Sequence, residues 1–154
     1  MLRFAWLSVL VVALDQLTKI WIQQTLAPYQ VIEILPIFNL ILTFNEGAAF
    51  SLLSEAGGWQ RWFFIGLASV VSLMLLVWLT RLSATERRLA VGLALLLGGA
   101  VGNLIDRIVY GHVVDFLDFH WHGAHWPAFN VADSAITIGV GLLIFDTLTR
   151  RDEQ

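Results

Sequence analysis

The chain has 154 residues, of which 58% are apolar and only 14% are charged, and its formal net charge is -3. Soluble domains have about a quarter of their residues charged, so this composition, with a mean hydropathy of +0.75, indicates an integral membrane protein. The absence of cysteine excludes disulfides, thiolate metal sites and a cysteine nucleophile.

The first apolar stretch begins at Phe4, and its start is typical of a signal peptide. No small-residue cleavage site follows, which favours an uncleaved first transmembrane helix over residues 4–22. Asp15 and Lys19 are one helical turn apart in this stretch, so they share a helix face and can form an ion pair. The sequence leaves open whether this pair locks the helix to its neighbours or takes part in chemistry.

Residues 25–61 are too polar, and too interrupted by proline and by Gly47, Gly57 and Gly58, to form a span. Within them, residues 31–34 and 38–44 are rich in β-branched and aromatic side chains, which predicts two short strands of a small sheet at the membrane surface. The segment Asn45 to Phe50 that follows is by itself only a loop signal.

Three further spans are predicted at residues 62–79, 89–107 and 131–148, because each stretch is apolar and long enough to cross a bilayer. The chain is therefore expected to be an all-α membrane protein with one domain, residues 1–154. Its architecture would be a bundle of four transmembrane helices with a small extracytoplasmic β element.

The third predicted span combines small and polar residues on one helix face. Gly98 and Gly102 have the spacing that lets helix backbones approach closely. Asn103, Asp106 and Arg107 continue the stripe at intervals of three and four residues, which predicts that this face points into the bundle.

Cations are concentrated on one side of the four predicted spans: Arg3, Arg81, Arg87, Arg88, Arg150 and Arg151. The positive-inside rule therefore places both termini in the cytoplasm, and residues 25–61 and 108–130 on the outer side. The tryptophans of these two segments suit an interfacial belt: Trp59, Trp62, Trp121 and Trp126.

Asp115 and Asp133 then lie at the outer interface, on the two sides of a connecting loop. Two carboxyl groups brought together cannot both ionise easily, so one keeps a proton while the other acts as a base. Such a pair can activate water and protonate a carbonyl oxygen, as metal-free peptide hydrolysis requires. The alternative is that both are solvated loop residues, with Asp133 merely the N-cap of the last helix.

Four histidines occur in the same segment: His112, His120, His122 and His125. Histidines in this number can bind zinc, but the sequence contains no His-Glu-x-x-His motif. An aromatic-rich interfacial segment is the favoured interpretation.

Five short motifs occur in order along the chain: Asp15-Gln16-x-x-Lys19, Asn45-x-Gly47-Ala48-Ala49-Phe50, Gly102-Asn103-x-x-Asp106-Arg107, Val114-Asp115-Phe116 and Phe129-Asn130-x-Ala132-Asp133. Together they closely resemble the bacterial lipoprotein signal peptidase family, signal peptidase II. The resemblance implies an aspartic endopeptidase of the inner membrane with four helices and an outward-facing β-rich loop. It also implies that the substrate is a prolipoprotein, cut before a cysteine that carries a diacylglyceryl group.

The resemblance assigns roles to nine residues. It implies that Asp115 and Asp133 are catalytic, and that four residues line the site and hold the substrate backbone: Asn45, Asn103, Arg107 and Asn130. It implies a supporting role for three more: Asp15, Lys19 and Asp106. No metal or other cofactor and no nucleic-acid partner is expected. Membrane lipids and globomycin-type cyclic peptide inhibitors are the further partners that it implies.

Two other classes of function remain possible at this point. In a small proton-coupled transporter, Asp15, Lys19 and Asp106 would form a proton relay, and carboxylates would be essential through the depth of the membrane. In a non-catalytic membrane scaffold, no single aspartate would matter for activity.

Overall fold

The computed structural model describes residues 1–47 and 59–151, with side chains up to Thr149. It contains four helices that are long and apolar enough to cross a membrane. They are α1 (Ala5–Thr25), α2 (Trp59–Arg81), α3 (Arg87–Val109) and α4 (Val131–Arg151). All three prolines of the chain lie outside them, as expected, since proline breaks the hydrogen bonding of a helix interior. The predicted fold class is confirmed.

Some predicted features lie outside the described residues. These are residues 48–50 of the motif that begins at Asn45, the glycines Gly57 and Gly58, the side chains of Arg150 and Arg151, and the tail from residue 152 to residue 154.

The third helix, α3, is the centre of the bundle. It packs against each of the other three helices, and 56% of the residues in its most apolar stretch are buried, against 11% for α2. Two glycines allow α1 to come close: a Cβ on Gly98 would lie 2.9 Å from Ser8 O, and one on Gly102 would lie 2.7 Å from Asp15 Oδ2. The close approach predicted from the glycine spacing is therefore present.

A small antiparallel sheet lies at one end of the bundle. Its four strands are arranged in chain order: β1 (Val31–Leu35), β2 (Phe38–Asn45), β3 (Val113–Trp121) and β4 (Ala124–His125). The two strands predicted from composition are β1 and β2. In the pairing of β2 with β3, Thr43 lies opposite Asp115, and the register shifts between Leu40 and Thr43.

The interpretation of Asp115 and the histidines as residues of a connecting loop was wrong, because the outward-facing segment 108–130 contains β3 and β4. The central strand β3 carries aspartates at positions 115 and 118, and aspartate is depleted in strands. Its first four residues are all buried, so polar and apolar residues do not alternate between a wet and a dry face. A strand of this kind lacks the period-two pattern by which strands are recognised.

One apolar cluster attaches the sheet to the bundle. Ile22 and Leu26, at the end of α1, pack with Leu42 of β2 and with Val114 and Phe116 of β3. All five side chains are buried. Hydrophobic packing therefore fixes the start of β3, and with it Asp115, over the end of α1.

Candidate active site

Asn130 precedes α4 and caps its N-terminus. Asn130 Oδ1 accepts a hydrogen bond from Asp133 N at 2.9 Å, and Asn130 N donates to Asp133 Oδ2 at 3.3 Å. This reciprocal pair has the geometry of a capping box. Asp133 is therefore not the N-cap, as the alternative interpretation had it, but lies three residues further on, with its carboxyl group turned back towards the helix start.

Asp115 comes from β3 and is almost completely buried, at 3% exposure. Asn130 Nδ2 donates to Asp115 Oδ1 at 2.7 Å, and Asn45 Nδ2 donates to Asp115 Oδ2 at 3.3 Å. Asn130 thus contacts both aspartates, one through its side-chain amide nitrogen and the other through its backbone. A single residue joins the two carboxyl groups that the sequence predicted to act together.

Asn103 on α3 contacts the other oxygen of Asp133. Its Nδ2 donates to Asp133 Oδ1 at 2.7 Å, and its Oδ1 accepts from Lys19 Nζ at 3.0 Å and from Asn130 Nδ2 at 3.2 Å. Because an ammonium group can only donate, Lys19 fixes the amide of Asn103 with its NH₂ group towards Asp133.

Lys19 lies at the centre of a buried ion cluster. Its Nζ is 2.8 Å from Asp15 Oδ2 and 2.8 Å from Asp106 Oδ2, so the predicted pairing of Asp15 with Lys19 is present. Gln16 Nε2 donates to Asp106 Oδ1 at 2.9 Å and to Asp15 Oδ2 at 3.2 Å. Burying charges is costly unless they are paired and hydrogen-bonded, and here each charge has several partners.

The carboxylates of this cluster also bind backbone. Asp15 Oδ1 accepts from Ala132 N at 2.9 Å, and Asp106 Oδ2 accepts from Val114 N at 3.0 Å. Ala132 directly precedes Asp133, and Val114 directly precedes Asp115. The ion cluster therefore holds the backbone beside each aspartate of the pair.

Arg107 lies one helical turn beyond Asn103, and its Nη1 donates to Asn103 O at 3.3 Å. Its guanidinium lies over the ring of Phe64 on α2, 5.3 Å from the centroid. Within the described part of the chain, no carboxylate lies within ion-pairing distance of it. Its position on the polar stripe of α3 agrees with the sequence. The cation that contacts carboxylates is instead Lys19, which pairs with Asp15 and Asp106.

Sequence reasoning missed the part played by Arg61 at the start of α2. Its Nε donates to Arg107 O at 3.0 Å, and its Nη2 donates to Ile108 O at 2.8 Å. These are carbonyls of the last turn of α3, which need partners because no intrahelical donor remains for them. The sequence shows only an arginine at the start of a predicted helix. That position does not indicate that its side chain caps the end of another helix.

Burial, followed by the negative charge of Asp133, raises the pKa of Asp115 from its ordinary value of 3.8 to about 7. The hydrogen bonds from Asn45 and Asn130 act in the opposite direction, because they stabilise the ionised form. Asp115 is therefore mostly protonated below about pH 7 and about half protonated at that pH. Asp133 is only partly buried, so the two carboxyl groups differ in environment, as acid and base roles require.

A model of a protein family, described as signal peptidase (SPase) II, matches residues 7–149. The chain belongs to the signal peptidase II family. The match includes every residue of the aspartate pair, the asparagine network and the ion cluster. This membership agrees with the resemblance carried by the five motifs, and it makes the chain a peptidase.

Proteins named lipoprotein signal peptidase are similar over almost the whole chain. The protein of Ralstonia nicotianae is 57% identical over 94% of this chain and 83% of its own length. The protein of Pseudomonas putida is 55% identical over 94% and 86%, respectively. That of Alteromonas mediterranea is 51% identical over 99% and 84%.

Two solved structures, both described as bacterial membrane enzymes, share the fold. One superposes with a TM-score of 0.88 at 33% identity, covering 99% of this chain and 91% of the other. The second has a TM-score of 0.83 at 35% identity, covering 95% and 92%. The peptidase class and the multi-pass membrane architecture both follow, whereas neither the family nor the solved structures support the transporter alternative.

The histidines lie on the sheet and beside it. His125 Nδ1 is 2.8 Å from Asp118 Oδ1, and the rings of His120 and His125 stack at 5.0 Å. His112 packs against Phe44 instead, with ring centroids 4.5 Å apart. The described residues contain no group of three or more side chains arranged to hold a metal ion.

Proposed function

We propose that Asp115 and Asp133 are the catalytic pair with which this signal peptidase removes signal peptides from prolipoproteins. The observation that carries the proposal is the double contact of Asn130, which holds both carboxyl groups at one end of the bundle. Cleavage falls before a cysteine that carries a diacylglyceryl group, as the family resemblance implies. Residues 1–154 act as a single peptidase domain.

The two aspartates have different starting roles. Asp115 is the buried one, with a pKa of about 7, so it begins the reaction protonated and acts as the acid. Asp133 is more exposed and receives hydrogen bonds from Asn103 and Asn130. Because Asp115 acts as the acid, Asp133 is left as the base of the pair.

Water bound between the two groups is the nucleophile. Asp133 takes a proton from the water as its oxygen adds to the scissile carbonyl carbon, and Asp115 gives its proton to the carbonyl oxygen. In the second step, Asp133 gives its proton to the leaving nitrogen and Asp115 takes one from a hydroxyl of the intermediate. The C–N bond then breaks, and both aspartates return to their starting protonation states.

The remaining residues divide into two groups. Asn45, Asn103, Arg107 and Asn130 line the site and hold the substrate backbone. Asp15 and Asp106 support the site because they bind the backbone directly before each aspartate, and Lys19 pairs with both of them.

The site lies at the outer face of the bacterial inner membrane. The residues directly before α1, the end of α2 and the start of α3 share the end of the bundle opposite the sheet, and they carry four arginines: Arg3, Arg81, Arg87 and Arg88. The positive-inside rule assigns that end, with both termini, to the cytoplasm. The sheet and the aspartate pair are then extracytoplasmic, where globomycin-type cyclic peptides would compete with the substrate.

The test is cleavage of a diacylglyceryl-modified precursor peptide by purified protein. Asp115→Asn and Asp133→Asn should each lower the rate by at least about a thousandfold, because each removes a group that must transfer a proton. Asp118→Asn is the matched control. Asp118 is also a buried aspartate of β3, but it is bound to Asn39 and His125, so that variant should remain active.

The melting temperature of each variant in detergent shows whether it is folded. Chelators should leave the wild-type rate unchanged. Near-normal cleavage by a folded Asp115→Asn or Asp133→Asn variant would refute the proposal, as would loss of activity with a chelator and its recovery with zinc.

A further inference from the structure

The end of the sheet remote from Asp115 is an exposed apolar surface. It is formed where the β1–β2 turn meets the end of β3: Leu35 pairs with Phe38, and Phe38 pairs with Phe119. The hydrogen bonds from His120 N to Ile37 O, at 3.0 Å, and from Trp126 N to Phe119 O, at 2.8 Å, complete this arrangement. We name the surface the sheet tip and define it by five residues: Leu35, Ile37, Phe119, Trp121 and Trp126.

All five tip side chains are between 42% and 70% exposed, although each is large and apolar. Residues 35–38 and 119–121 contain no Asp, Glu, Lys or Arg. A contiguous exposed patch of this kind marks a surface that meets either a partner or a membrane. The two tryptophans favour a membrane, because an amphipathic indole is enriched at the boundary between lipid headgroups and acyl chains.

The length of β3 sets the possible positions of the tip. From Val113 to Trp121 the strand covers roughly 26 Å at about 3.3 Å per residue. If the sheet stood upright on the bundle, the tip would be surrounded by water and would expose five large apolar side chains. If the sheet lies along the membrane, the same side chains reach the lipid that already surrounds the four spans.

We propose that the sheet tip inserts into the headgroup region of the bilayer, beside the bundle, and that the sheet lies along the membrane surface. The occupant of the patch is phospholipid, in a layer continuous with the lipid around α1 to α4. The protein then has two separate membrane attachments, the spans and the tip. This placement keeps Asp115, at the other end of β3, at the level of the membrane surface.

The absence of cysteine makes this placement measurable with single labels. Cysteine is introduced at Ile37, Trp121 or Trp126 and labelled with an environment-sensitive fluorophore, and the protein is reconstituted in vesicles that contain nitroxide-labelled phospholipid. Val140, an exposed residue of α4, marks lipid, and Ala84, in the exposed hinge between α2 and α3, marks water. We expect quenching at the tip positions to approach that at Val140 and to exceed that at Ala84 by at least about twofold.

A functional variant separates membrane contact from a folding role. The triple variant Ile37→Ser, Trp121→Ser, Trp126→Ser leaves out Phe119, because its ring packs between those of Phe38 and Phe129. We expect its rate to fall about tenfold in vesicles but to stay within about twofold of wild type in detergent, where no bilayer surface has to be matched. If the cleavage rate of the triple variant fell equally in vesicles and in detergent, the loss would come from damage to the fold and not from membrane contact.

Three results would overturn the proposal. Quenching at all tip positions equal to that at Ala84 would mean that the tip is in water. Tip labels shielded from a water-soluble quencher but not quenched by nitroxide lipid would mean that a protein surface, including a second copy of this chain, covers the patch. A triple variant with unchanged rates in vesicles would mean that the contact has no bearing on the reaction.

Discussion

Asp106 Oδ2 accepts a hydrogen bond from Val114 N at 3.0 Å, at the residue directly before Asp115. The same oxygen pairs with Lys19 at 2.8 Å. Asp15 provides the equivalent contact to Ala132 N, directly before Asp133. The charges inside the bundle therefore set the positions of the two aspartates, one from each side of Lys19, without reaching them directly.

Replacing Asp106 by alanine tests this positioning role. Asp106→Ala leaves Val114 N without its acceptor and Lys19 with one carboxylate fewer, and breaking a buried ion pair costs about 3–5 kcal/mol. We expect a lower melting temperature and a fall in kcat of about a hundredfold with little change in KM, because misplacing a catalytic group slows the chemical step. Both quantities can be measured on the purified variant with a lipidated precursor.

Gln24→Ala is the control for the Asp106→Ala experiment, because Gln24 lies exposed near the end of α1. It should match the wild type in melting temperature and rate. A folded Asp106→Ala protein that loses affinity for the substrate but keeps its kcat would place Asp106 in substrate binding instead.

The four helices could be predicted because long apolar runs are a strong local signal. The strand β3 could not, since its buried aspartates look like loop residues until their partners are known. Asp118 shows the reason: it is buried against Asn39 of β2 and against His125, whose hydrogen bonds lower its pKa despite the opposing effect of burial. Such pairing depends on strand register, which composition does not specify.

The candidate site was predictable to a similar extent. Asp115 and Asp133 stand out because charges are scarce in this chain, and the motifs identify the asparagines. The contacts of Arg61 were not predictable, because its guanidinium binds two backbone carbonyls that are 46 and 47 residues away. Every residue has a backbone carbonyl, so the residue types in a sequence do not indicate which carbonyls an arginine side chain will bind.

The topology can be tested at two exposed alanines on opposite ends of the bundle. Ala124 belongs to β4, and Ala84 lies in the hinge between α2 and α3. In intact spheroplasts, Ala124→Cys should react with a membrane-impermeant thiol reagent and Ala84→Cys should not, given the arginine asymmetry. Ala84→Cys should react only after lysis. Labelling of both positions in intact cells would contradict the proposed orientation.

The rate of cleavage should fall as the pH rises through about 7, because Asp115 must begin the reaction protonated and burial raises its pKa to that value. Above this pH, kcat/KM should drop by about tenfold per pH unit, the dependence expected for loss of one essential proton. The profile can be recorded with the lipidated precursor at constant ionic strength. A rate that keeps increasing from pH 7 to pH 9 would assign the acid role to another group.

The stability of the protein should show the same ionisation. Asp115 has a folded-state pKa of about 7 against an ordinary value of 3.8, so the folded protein keeps a proton that the unfolded chain releases. Stability is therefore highest below the ordinary pKa and decreases as the pH rises towards 7. Asp115→Asn lacks this dependence, so the melting temperature of the wild type should fall relative to that of the variant between pH 4 and pH 8. A constant difference over this range would show that Asp115 ionises normally.

Cleavage should depend on the lipid of the substrate, because the aspartate pair lies at the end of the spans. Asp133 is in the first turn of α4, the helix whose apolar stretch begins at Val131. Each buried CH₂ group of an acyl chain contributes about 0.8 kcal/mol to membrane partitioning, so two chains on the cysteine hold the scissile bond at the level of the headgroups. A precursor with a free cysteine has only its signal helix, and the depth of its cleavage site is less restricted.

We expect the diacylglyceryl form to be cleaved about a hundredfold faster in the same vesicles, with a singly acylated peptide in between. Rates within about twofold of each other for all three peptides would show that the enzyme recognises the peptide alone.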